Sequence, residues 1–409
     1  MVQSAEIAII GAGPVGLVAA LALARLNIAA TVIAPPYDAA LAAADHRTTA
    51  LIGPSVTLLE NLGVWEHCYA DSSALAAVRI ADDREAILRA PETHFVAQEL
   101  GLASFGANIP NTKLLAALNA EVGKIAHITR LVTAGVTGIE PDTSSVRLRL
   151  GEGGAITARL VVAADGRNSI GPAAAGIATR SWNYPQAAIV TSFAHTRSHN
   201  GVVYELHRRN GPLTTVPLPG LHSSLVWVEE PRGAQRIAAL SDDDFVKLLE
   251  DRLQGILGTV LSCGQRLVYP LSGSSTERMA AKRIVLVGEA AHVIPPIGAQ
   301  GLNLGLKDAA TMAECVADAQ TQGQDVGGTE VLDQYHHARS GDVATRSAAI
   351  DLLNRSLLTE FLPLDVLRGA AVHALANSST LQHFLMHRGL GAAGPLPRLM
   401  RPNAPLASP

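Results

Sequence analysis

The stretch that decides the fold is Glu6-Ile7-Ala8-Ile9-Ile10-Gly11-Ala12-Gly13-Pro14-Val15-Gly16. A short apolar run of this kind is typical of a buried strand, and the Ala- and Leu-rich segment that follows, up to Leu26, is typical of a helix. Between them the glycines form a G-x-G-x-x-G turn. Gly11 permits the tight turn, Gly13 lets a pyrophosphate approach the backbone, and Gly16 lets helix and strand pack closely. The stretch therefore predicts the first strand, turn and helix of a dinucleotide-binding fold.

The context of this motif carries the prediction, since the same pattern occurs again at residues 389–394. No strand-like run precedes the second copy, and Pro395 follows it directly. A phosphate needs the free amides of a helix that begins at the turn. We therefore interpret only the first copy as a nucleotide site.

Three further apolar runs extend the sheet. A second strand is predicted at residues 30–33, and the runs at 160–164 and 284–287 are continuously apolar, as strands buried on both faces are. The latter two end in Asp165-Gly166 and Gly288-Glu289. Strands alternating with helices predict an α/β, doubly wound, Rossmann-like domain.

Between these runs the sequence changes to short strand candidates separated by Gly and Pro, which predict an inserted antiparallel sheet. The candidates are residues 187–193, 201–207, 213–218 and 223–228. Ser241, followed by three aspartates, predicts a helix start, and the chain after Gly328 reads as C-terminal helices. We predict a dinucleotide-binding domain of residues 1–72, 104–180 and 270–330, a substrate domain of 73–103 and 181–269, and a helical segment of 331–409.

Composition restricts the function classes. The 409 residues are 48% hydrophobic and 17% charged, with a net charge of −4, which predicts a globular protein and argues against a nucleic-acid partner. Cys68, Cys263 and Cys315 are odd in number and far apart, so we expect buried thiols in a reducing compartment rather than disulfides or a metal site. Residues 7–24 lack charge, but glycines and Pro14 interrupt them and no basic residue precedes them. We expect a cytoplasmic chain.

The end of the second strand departs from the dinucleotide fingerprint. An acid usually stands there and accepts hydrogen bonds from ribose hydroxyls, whereas this chain has Ala34 followed by Pro35-Pro36. The sugar must be held in another way. The position also gives no argument for NAD over FAD.

A second motif decides between these cofactors. It reads Gly288-Glu289-Ala290-Ala291-His292-Val293-Ile294-Pro295-Pro296-Ile297-Gly298-Ala299-Gln300-Gly301-Leu302-Asn303-Leu304-Gly305-Leu306-Lys307-Asp308. A buried strand delivers Glu289 to the edge of the sheet, and glycines after a proline-fixed loop open a helix. The positive end of such a helix would stabilise the negative charge of a reduced flavin.

The second motif resembles the second FAD fingerprint of the para-hydroxybenzoate-hydroxylase-like flavoprotein monooxygenases, in particular the ubiquinone-biosynthesis ring hydroxylases. Further segments are similar in order and spacing. They are residues 45–51 with 59–65, 111–115, 164–169, 211–213 and the tail near residues 368–369. In the resembling family Arg47 would lie by the flavin, Lys113 would stand on a helix that touches FAD, and Asp165 and Gly166 would contact both FAD and the nicotinamide cofactor.

The resemblance implies a set of FAD-binding residues and a smaller set at the reacting ring. The FAD-binding residues are Gly11, Gly13, Pro14, Gly16, Arg47, Lys113, Asp165, Gly166, Glu289, Pro295, Gly298, Gln300, Gly301, Leu302 and Asn303. The catalytic residues are Arg47, Pro295 and Gly298. Pro295 and residues 298–303 would line the isoalloxazine, with the inserted sheet as the opposite wall.

Two positions differ from the resembling family. Glu289 replaces the more common Asp, one methylene longer but still able to accept a hydrogen bond from the ribityl chain. Residues 170–172 read Ile170-Gly171-Pro172 where relatives carry an arginine after an aliphatic residue, which bears on how reduced nicotinamide docks. His292 could be a catalytic base or a loop histidine held by hydrogen bonds, and we favour the second role.

No metal constellation or nucleophilic triad is evident in the sequence, so the cofactor must supply the chemistry. The resemblance implies that reduced FAD and dioxygen give a flavin hydroperoxide, which hydroxylates the ring of a polyprenylated phenol or quinol intermediate of ubiquinone. Electrons would come from NAD(P)H or from a protein donor. Such a substrate would need an apolar channel and implies contact with the inner face of a membrane or with a biosynthetic complex. No spanning helix is predicted.

Two other functions stay open. A related FAD-dependent reductase or halogenase could use the same scaffold on another aromatic substrate, although the Trp-x-Trp-x-Ile signature of such halogenases is absent from the sequence. A flavin-binding scaffold without catalysis would bind FAD and support partner enzymes. Oxygen-dependent hydroxylation separates the main hypothesis from both.

Overall fold

The computed structural model describes residues 3–38, 45–82, 92–296, 299–358 and 395–402. Within these residues three β-sheets and eight α-helices assemble. The helices are α1 (Pro14–Arg25), α2 (Gly53–Asn61), α3 (Asn111–Val122), α4 (Gly171–Ala175), α5 (Pro231–Ala238), α6 (Asp242–Leu253), α7 (Gln300–Thr321) and α8 (Thr329–Leu358).

The first sheet has eight strands and forms the nucleotide-binding half of the molecule. The strands are β1 (Gln3–Ile10), β2 (Ala30–Ala34), β8 (Ile128–Val132), β9 (Val136–Pro141), β10 (Val146–Leu150), β11 (Ala155–Ala163), β18 (Ala280–Ala281) and β19 (Ile284–Leu286). Their order is β18-β19-β11-β1-β2-β8, and the hairpin of β9 and β10 extends from β11. The pairs among β19, β11, β1, β2 and β8 are parallel. This confirms the predicted doubly wound fold.

Burial explains why these segments form the central strands. Ile7 and Ile9 point to one face of the sheet and Ala8 and Ile10 to the other, and all four are buried, so both faces of β1 are covered. Strand β1 begins at Gln3, three residues before the predicted start, because β11 continues the parallel pairing down to Ile156. The long strand β11 pairs with β1 on one side and with β19 on the other.

The second sheet has nine strands, antiparallel except for the pair β5 and β13. The strands are β5 (Ala77–Asp82), β6 (Thr93–Val96), β12 (Thr179–His195), β13 (Val202–Arg208), β14 (Gly211–Leu218), β15 (His222–Glu229), β16 (Val260–Cys263), β17 (Leu267–Thr276) and β20 (His292–Val293). The order is β20-β17-β12-β15-β14-β13-β5-β6, with β16 beside the end of β12. All four predicted strands of the inserted sheet are present.

Alternate residues of this sheet face two different environments. One face carries Ile189 and Trp227, which share a core cluster with Ala234 of α5 and Phe245 of α6. We call the opposite face the apolar wall. Its members are Trp182, Tyr184, Ala188, Val190, Val226, Val228, Tyr269 and Leu271. The hydroxyl of Tyr184 donates to Asp351 of α8 at 2.7 Å, so the C-terminal helix borders the wall.

A third, small sheet joins the two large ones. It contains β3 (Thr48–Ile52), β4 (Ser73–Ala74) and β7 (Gly106–Pro110). The hydroxyl oxygens of Thr48 and Ser224 are 2.9 Å apart, and the amide of Asn108 donates to the carbonyl of Pro217 at 2.9 Å. These bonds fix the small sheet against the second sheet.

Ser241 caps α6, since its hydroxyl accepts a hydrogen bond from the backbone amide of Asp244 at 3.2 Å. Helix α8, which begins at Thr329, confirms a helix in the C-terminal part of the chain, while residues 359–394 lie outside the described residues. All three cysteines are free, but Cys263 was wrongly expected to be buried, because it lies on the short edge strand β16 and is partly exposed. Among the described helices, none combines the length and apolarity needed to cross a membrane.

Candidate functional site

The parallel register brings the glycine turn after β1, the Asp165-Gly166 turn and the start of the second motif to one edge of the first sheet. Ile10 pairs with Ile33 on one side and with Ala163 on the other, and Ala163 pairs with Leu286. The chain therefore leaves four neighbouring strands at nearly the same level. Ligands of doubly wound sheets bind beyond this carboxyl edge.

The three motif glycines differ in what surrounds them. A Cβ on Gly11 would lie 2.5 Å from the carbonyl oxygen of Ala164, and one on Gly16 would lie 2.2 Å from the carbonyl oxygen of Gly11. Gly11 also has a φ of +104°, in the region that favours glycine. A Cβ on Gly13 would meet nothing within 4 Å. Gly11 and Gly16 are thus required by packing, whereas Gly13 borders open space.

The start of α1 faces that space without an internal counter-charge. Gly13 is the N-cap residue, Pro14 is the first helical residue, and no side chain caps the helix. No acid stands in the first turn. The free amides and the positive end of the helix dipole are therefore suited to a phosphate.

A cavity of about 560 Å³ opens beside this helix start. Its lining includes Ala12, Pro14, Ala34, Asp38, Arg47 and Asn111. The cavity runs from the end of β2 to the start of α3. Ala12 of the glycine turn, Pro14 at the start of α1 and Arg47 line one cavity. This combination fits the diphosphate of a dinucleotide.

Arg47 is held in place by a bidentate contact with Asp45. Its Nε lies 2.7 Å from Oδ1 and its Nη2 lies 2.8 Å from Oδ2. The guanidinium also lies over the ring of Tyr269, 5.6 Å from its centroid. The hydrogen bond with Asp45 raises the pKa of Arg47, and the charges of Tyr269 and Glu289 add smaller contributions. Arg47 therefore lies between the first glycine motif, the second motif and the apolar wall.

Two residues at the start of α3 have different surroundings. The amide of Asn111 donates to Oδ2 of Asp45 at 3.2 Å and accepts from the hydroxyl of Thr49 at 2.6 Å. Lys113, predicted to bind the cofactor, forms an ion pair with Asp71 at 3.1 Å and is not part of the cavity lining. Asn111 of this motif therefore lines the cavity, whereas the prediction named Lys113.

The Asp165-Gly166 turn follows β11 directly. Gly166 has a φ of +82°, and burial raises the pKa of Asp165 despite a hydrogen bond with Ser169. Nη2 of Arg167 lies 3.2 Å from Oε1 of Glu289, with both side chains about half exposed. This ion pair connects the Asp-Gly turn to the second motif. Arg167 and Glu289 also border a second cavity of about 500 Å³, which reaches Trp182.

Val15 joins the two glycine motifs. A Cβ on Gly305 would lie 2.8 Å from Cγ2 of Val15, and one on Gly288 would lie 3.1 Å from the same atom. Gly288 has a φ of +59°. Helices α1 and α7 therefore pack against each other through residues from both motifs, and the two motifs converge on one region.

The start of α7 carries the remaining predicted residues. Ala299 has a left-handed conformation with φ of +54°, and the first turn contains Gln300, Gly301 and Leu302 with no acid. Pro295 precedes this turn, while the predicted catalytic residue Gly298 lies outside the described residues.

Asn303 has its side chain fully engaged. Its Oδ1 accepts from the amide of Ile52 at 3.0 Å, and its Nδ2 donates to the carbonyls of Ala50 and Ala299 at 2.9 and 2.6 Å. Asn303 thus fastens β3 to α7.

Behind α7 lies a buried network of charges that the sequence analysis missed. Asp308 contacts Nε2 of His292 and Nε of Arg339, each at 2.7 Å. Arg339 also donates to Asp342 at 2.8 Å, as does Lys307. Asp308 and His292 belong to the second motif, but nothing in the sequence signals that Arg339 of the helical tail reaches them. The contact with Asp308 agrees with the favoured reading of His292 as a histidine held by hydrogen bonds.

Comparisons with known proteins agree with this geometry. Residues 4–348 match the family model described as FAD binding domain. The chain is 34% identical over 402 residues to the ubiquinone hydroxylase UbiL of Rhodospirillum rubrum, and this match covers 97% of this chain and 92% of the relative. It is 29% identical over 397 residues to the 3-demethoxyubiquinol 3-hydroxylase of Escherichia coli, covering 95% of this chain and 99% of the relative.

Solved structures share the fold. The p-nitrophenol 4-monooxygenase PnpA from Pseudomonas putida superposes with a TM-score of 0.75 at 17% identity, covering 96% of this chain and all of the other. The flavin-dependent monooxygenase PieE, solved with FAD and substrate, gives a TM-score of 0.70 at 18% identity, covering 96% of this chain and 74% of the other. Because the FAD-domain match spans most of the chain and the similarity to UbiL extends over nearly all of it, the chain belongs to the FAD-dependent aromatic-ring monooxygenases, in the group that contains the ubiquinone hydroxylases.

Proposed function

We propose that this enzyme hydroxylates the aromatic ring of a polyprenylated phenol or quinol intermediate of ubiquinone biosynthesis. The named activities of the two relatives support this substrate class. The observation that carries the proposal is the convergence of both glycine motifs, through Val15, on one edge of the sheet. Such a site can hold one extended FAD between them.

In this proposal Gly13 and the start of α1 would hold the pyrophosphate, because the space there is open and the helix dipole is favourable. Glu289 would accept a hydrogen bond from the ribityl chain, and the start of α7 would stabilise negative charge on the pyrimidine side. Bound FAD supplies the activation of dioxygen. The assigned roles of Asp165, Gly166, Pro295, Gly298 and the first turn of α7 belong to the same proposal.

The protein contributes orientation and exclusion of water. The apolar wall lies next to Arg47, since the guanidinium of Arg47 stacks over Tyr269 of that wall. A phenol ring held between the flavin and this wall would be oriented by apolar contacts, and water would be excluded from the reacting atoms. The predicted division into an FAD domain and a substrate domain belongs to the same proposal, with β17 continuing the second sheet to Thr276, beyond the predicted limit at residue 269.

We also propose that NAD(P)H delivers the electrons by transient binding beside FAD. Arg167 is the cationic side chain that borders the second cavity next to Glu289. Stopped-flow mixing of the holoprotein with NADPH and with NADH tests this, because loss of the flavin absorbance follows reduction. An absorbance that persists with both would favour a protein donor.

The apolar substrate further suggests that the enzyme works from the cytoplasm at the inner face of a membrane, alone or in a biosynthetic complex. Sedimentation of the purified chain with vesicles of anionic and of zwitterionic lipid tests the membrane contact. Recovery of all protein in the supernatant of both would contradict it.

The central test is turnover with a short-chain prenylated phenol under ¹⁸O₂. Incorporation of one labelled oxygen into the ring by the wild-type chain, and none by Gly13→Asp, is expected. Hydrogen peroxide without a hydroxylated product from every ubiquinone precursor would argue for another substrate. The precursor that accumulates in a deletion strain would then identify the ring position.

A further inference from the structure

The first helical residue of α7 is in contact with an arginine of α8. Gln300 is 9% exposed, and its Oε1 accepts a hydrogen bond from Nη1 of Arg346 at 2.7 Å. The side chain of Arg346 is itself only 10% exposed. A buried cation therefore contacts the helix start that we assign to the pyrimidine side of the flavin, and it comes from outside both glycine motifs.

The position of this cation is unfavourable for α7 alone. The first turn of a helix carries a positive partial charge, so a cation destabilises it and an anion stabilises it. The N-cap residue Ala299 makes no side-chain cap hydrogen bond, and the first turn contains no acid. Arg346 thus adds positive charge to a positive helix end. An anion that binds at this end would gain from both.

Asp342 fixes the orientation of Arg346. Its Oδ1 accepts from Nε of Arg346 at 2.9 Å, four residues further along the same helix. Its Oδ2 accepts from Lys307 and from Arg339, each at 2.8 Å. Burial raises the pKa of Asp342, but these hydrogen bonds outweigh that effect and hold the pKa below its usual value. Asp342 is therefore ionised and holds the guanidinium of Arg346 in one place.

The same network reaches the other end of the second motif. Arg339 joins Asp342 to Asp308, whose Oδ2 accepts the backbone amide of Gly288 at 3.0 Å. Gly288 precedes the loop that we assign to the flavin, and Gln300 follows it. The charged side chains of α7 and α8 therefore anchor this loop at both ends.

We propose that Arg346 is a positioning residue of the flavin site, which keeps Gln300 in place and stabilises reduced FAD over oxidised FAD. The inference rests on the proposed placement of FAD at the start of α7. Reduced flavin carries negative charge on its pyrimidine side, whereas the oxidised ring is neutral, so a fixed cation at this helix start favours the reduced form. The reduction potential of bound FAD therefore depends on the charge at residue 346.

The test is the two-electron reduction potential of FAD bound to the full chain, measured without oxygen against reference dyes. Arg346→Gln removes the charge but retains a hydrogen-bond donor. It should weaken the binding of reduced FAD relative to oxidised FAD about tenfold, which is within the effect of one charge at a partly buried helix end and lowers the potential by about 30 mV. Arg346→Lys retains the charge and should keep the potential close to that of the wild type.

Asp342→Asn should shift the potential in the opposite direction. It removes a negative charge from the same network, so reduced FAD should bind more tightly and the potential should rise. Both Arg346→Gln and Asp342→Asn disturb the contact between these two residues, so a general loosening of α8 would move the two potentials in the same direction. Arg278→Gln is the control, because it breaks the contact of Arg278 with Asp333 near the start of α8 and should leave the potential unchanged.

Two results would overturn the inference directly. One is a potential of Arg346→Gln equal to that of the wild type, and the other is a shift of the same sign in Arg346→Gln and Asp342→Asn. Loss of FAD from both Arg346→Gln and Arg346→Lys would also overturn it, because Arg346 would then serve the fold. If Arg346→Gln alone loses FAD, the sign of the shift in Asp342→Asn decides.

The potentials are measured without substrate, so they are independent of the proposed hydroxylation. If the wild type hydroxylates the prenylated phenol and the potentials do not shift, the role of Arg346 is wrong and the proposed function stands. If the potentials shift as expected and no precursor is hydroxylated, the role of Arg346 stands and the proposed substrate is wrong.

Discussion

Nε of Arg339 lies 2.7 Å from Oδ1 of Asp308, and neither side chain is exposed to solvent. The second carboxylate oxygen of Asp308 accepts the backbone amide of Gly288 at 3.0 Å. Because Gly288 precedes Glu289 in the second motif, this ion pair connects α8 to the loop that we assign to FAD. Burial raises the pKa of Asp308, but the charges of His292 and Arg339 outweigh this effect and hold the pKa below its usual value.

Asp308→Asn should lower the free energy of unfolding by about 3 kcal/mol or more, because it leaves the buried guanidinium of Arg339 without its charge partner. Denaturant unfolding of the flavin-free chain measures the change. Arg149→Ala is the control, since Arg149 and Glu140 form a pair that is 60% and 50% exposed and should contribute less than about 1 kcal/mol. Equal effects of the two variants would contradict the structural role of the buried pair.

Acid should weaken the fold through Asp325. A hydrogen bond with Arg283 lowers the pKa of Asp325 from 3.8 to about 2, with burial opposing the shift. Between these values the unfolded chain binds more protons than the folded chain, so this contribution to stability is present above about pH 4 and is lost as the pH falls towards 2. Asp325→Asn should therefore reduce the loss of stability between pH 5 and pH 3.

Urea unfolding at the two pH values measures this difference. Asp142→Asn is the matched control, because it removes one exposed carboxylate from a turn. A pH dependence of Asp325→Asn that equals that of the wild type would show that other carboxylates dominate.

Local patterns explain why the first motif could be predicted from sequence. Gly11, Gly13 and Gly16 act within one turn, and their strand and helix are contiguous with them. The contacts that were missed join distant segments. Asn303 bonds to Ile52 across 251 residues, and Arg339 reaches Asp308 from another helix. Periodicity identifies the faces of helices and strands but not the partners that those faces meet.

The same distinction applies to Lys113. The motif marks the helix whose first two residues, Asn111 and Thr112, line the cavity. One position further, Lys113 pairs with Asp71. The direction of a side chain at a helix start depends on the loop opposite it, which the motif does not describe.

The surroundings of the motif glycines predict opposite effects for neighbouring substitutions. Gly13→Asp should leave the stability of the flavin-free chain nearly unchanged, because its side chain enters open space, yet it should abolish FAD binding by placing a carboxylate against the pyrophosphate. Gly16→Ala should lower stability by about 1–3 kcal/mol, since its Cβ meets the backbone of Gly11.

Thermal unfolding and flavin content together measure these effects. Stoichiometric FAD bound to Gly13→Asp would contradict the assignment of the pyrophosphate site to Gly13 and the start of α1. A Gly16→Ala chain as stable as the wild type would contradict the packing argument.

Neighbouring residues of β15 allow the apolar wall to be tested against the fold. Val226 belongs to the wall, whereas Leu225 faces the core beneath α5 and α6 and is fully buried. Val226→Ser should increase the fraction of consumed dioxygen released as hydrogen peroxide, because a more polar wall admits water near the reacting atoms. Leu225→Ala should instead cost about 2–5 kcal/mol of stability and leave that fraction unchanged.

The measurement is the ratio of hydroxylated product to hydrogen peroxide at a temperature where both variants are folded. If Leu225→Ala raises peroxide release as much as Val226→Ser does, the wall does not control coupling, because general loosening of the sheet would then account for both results.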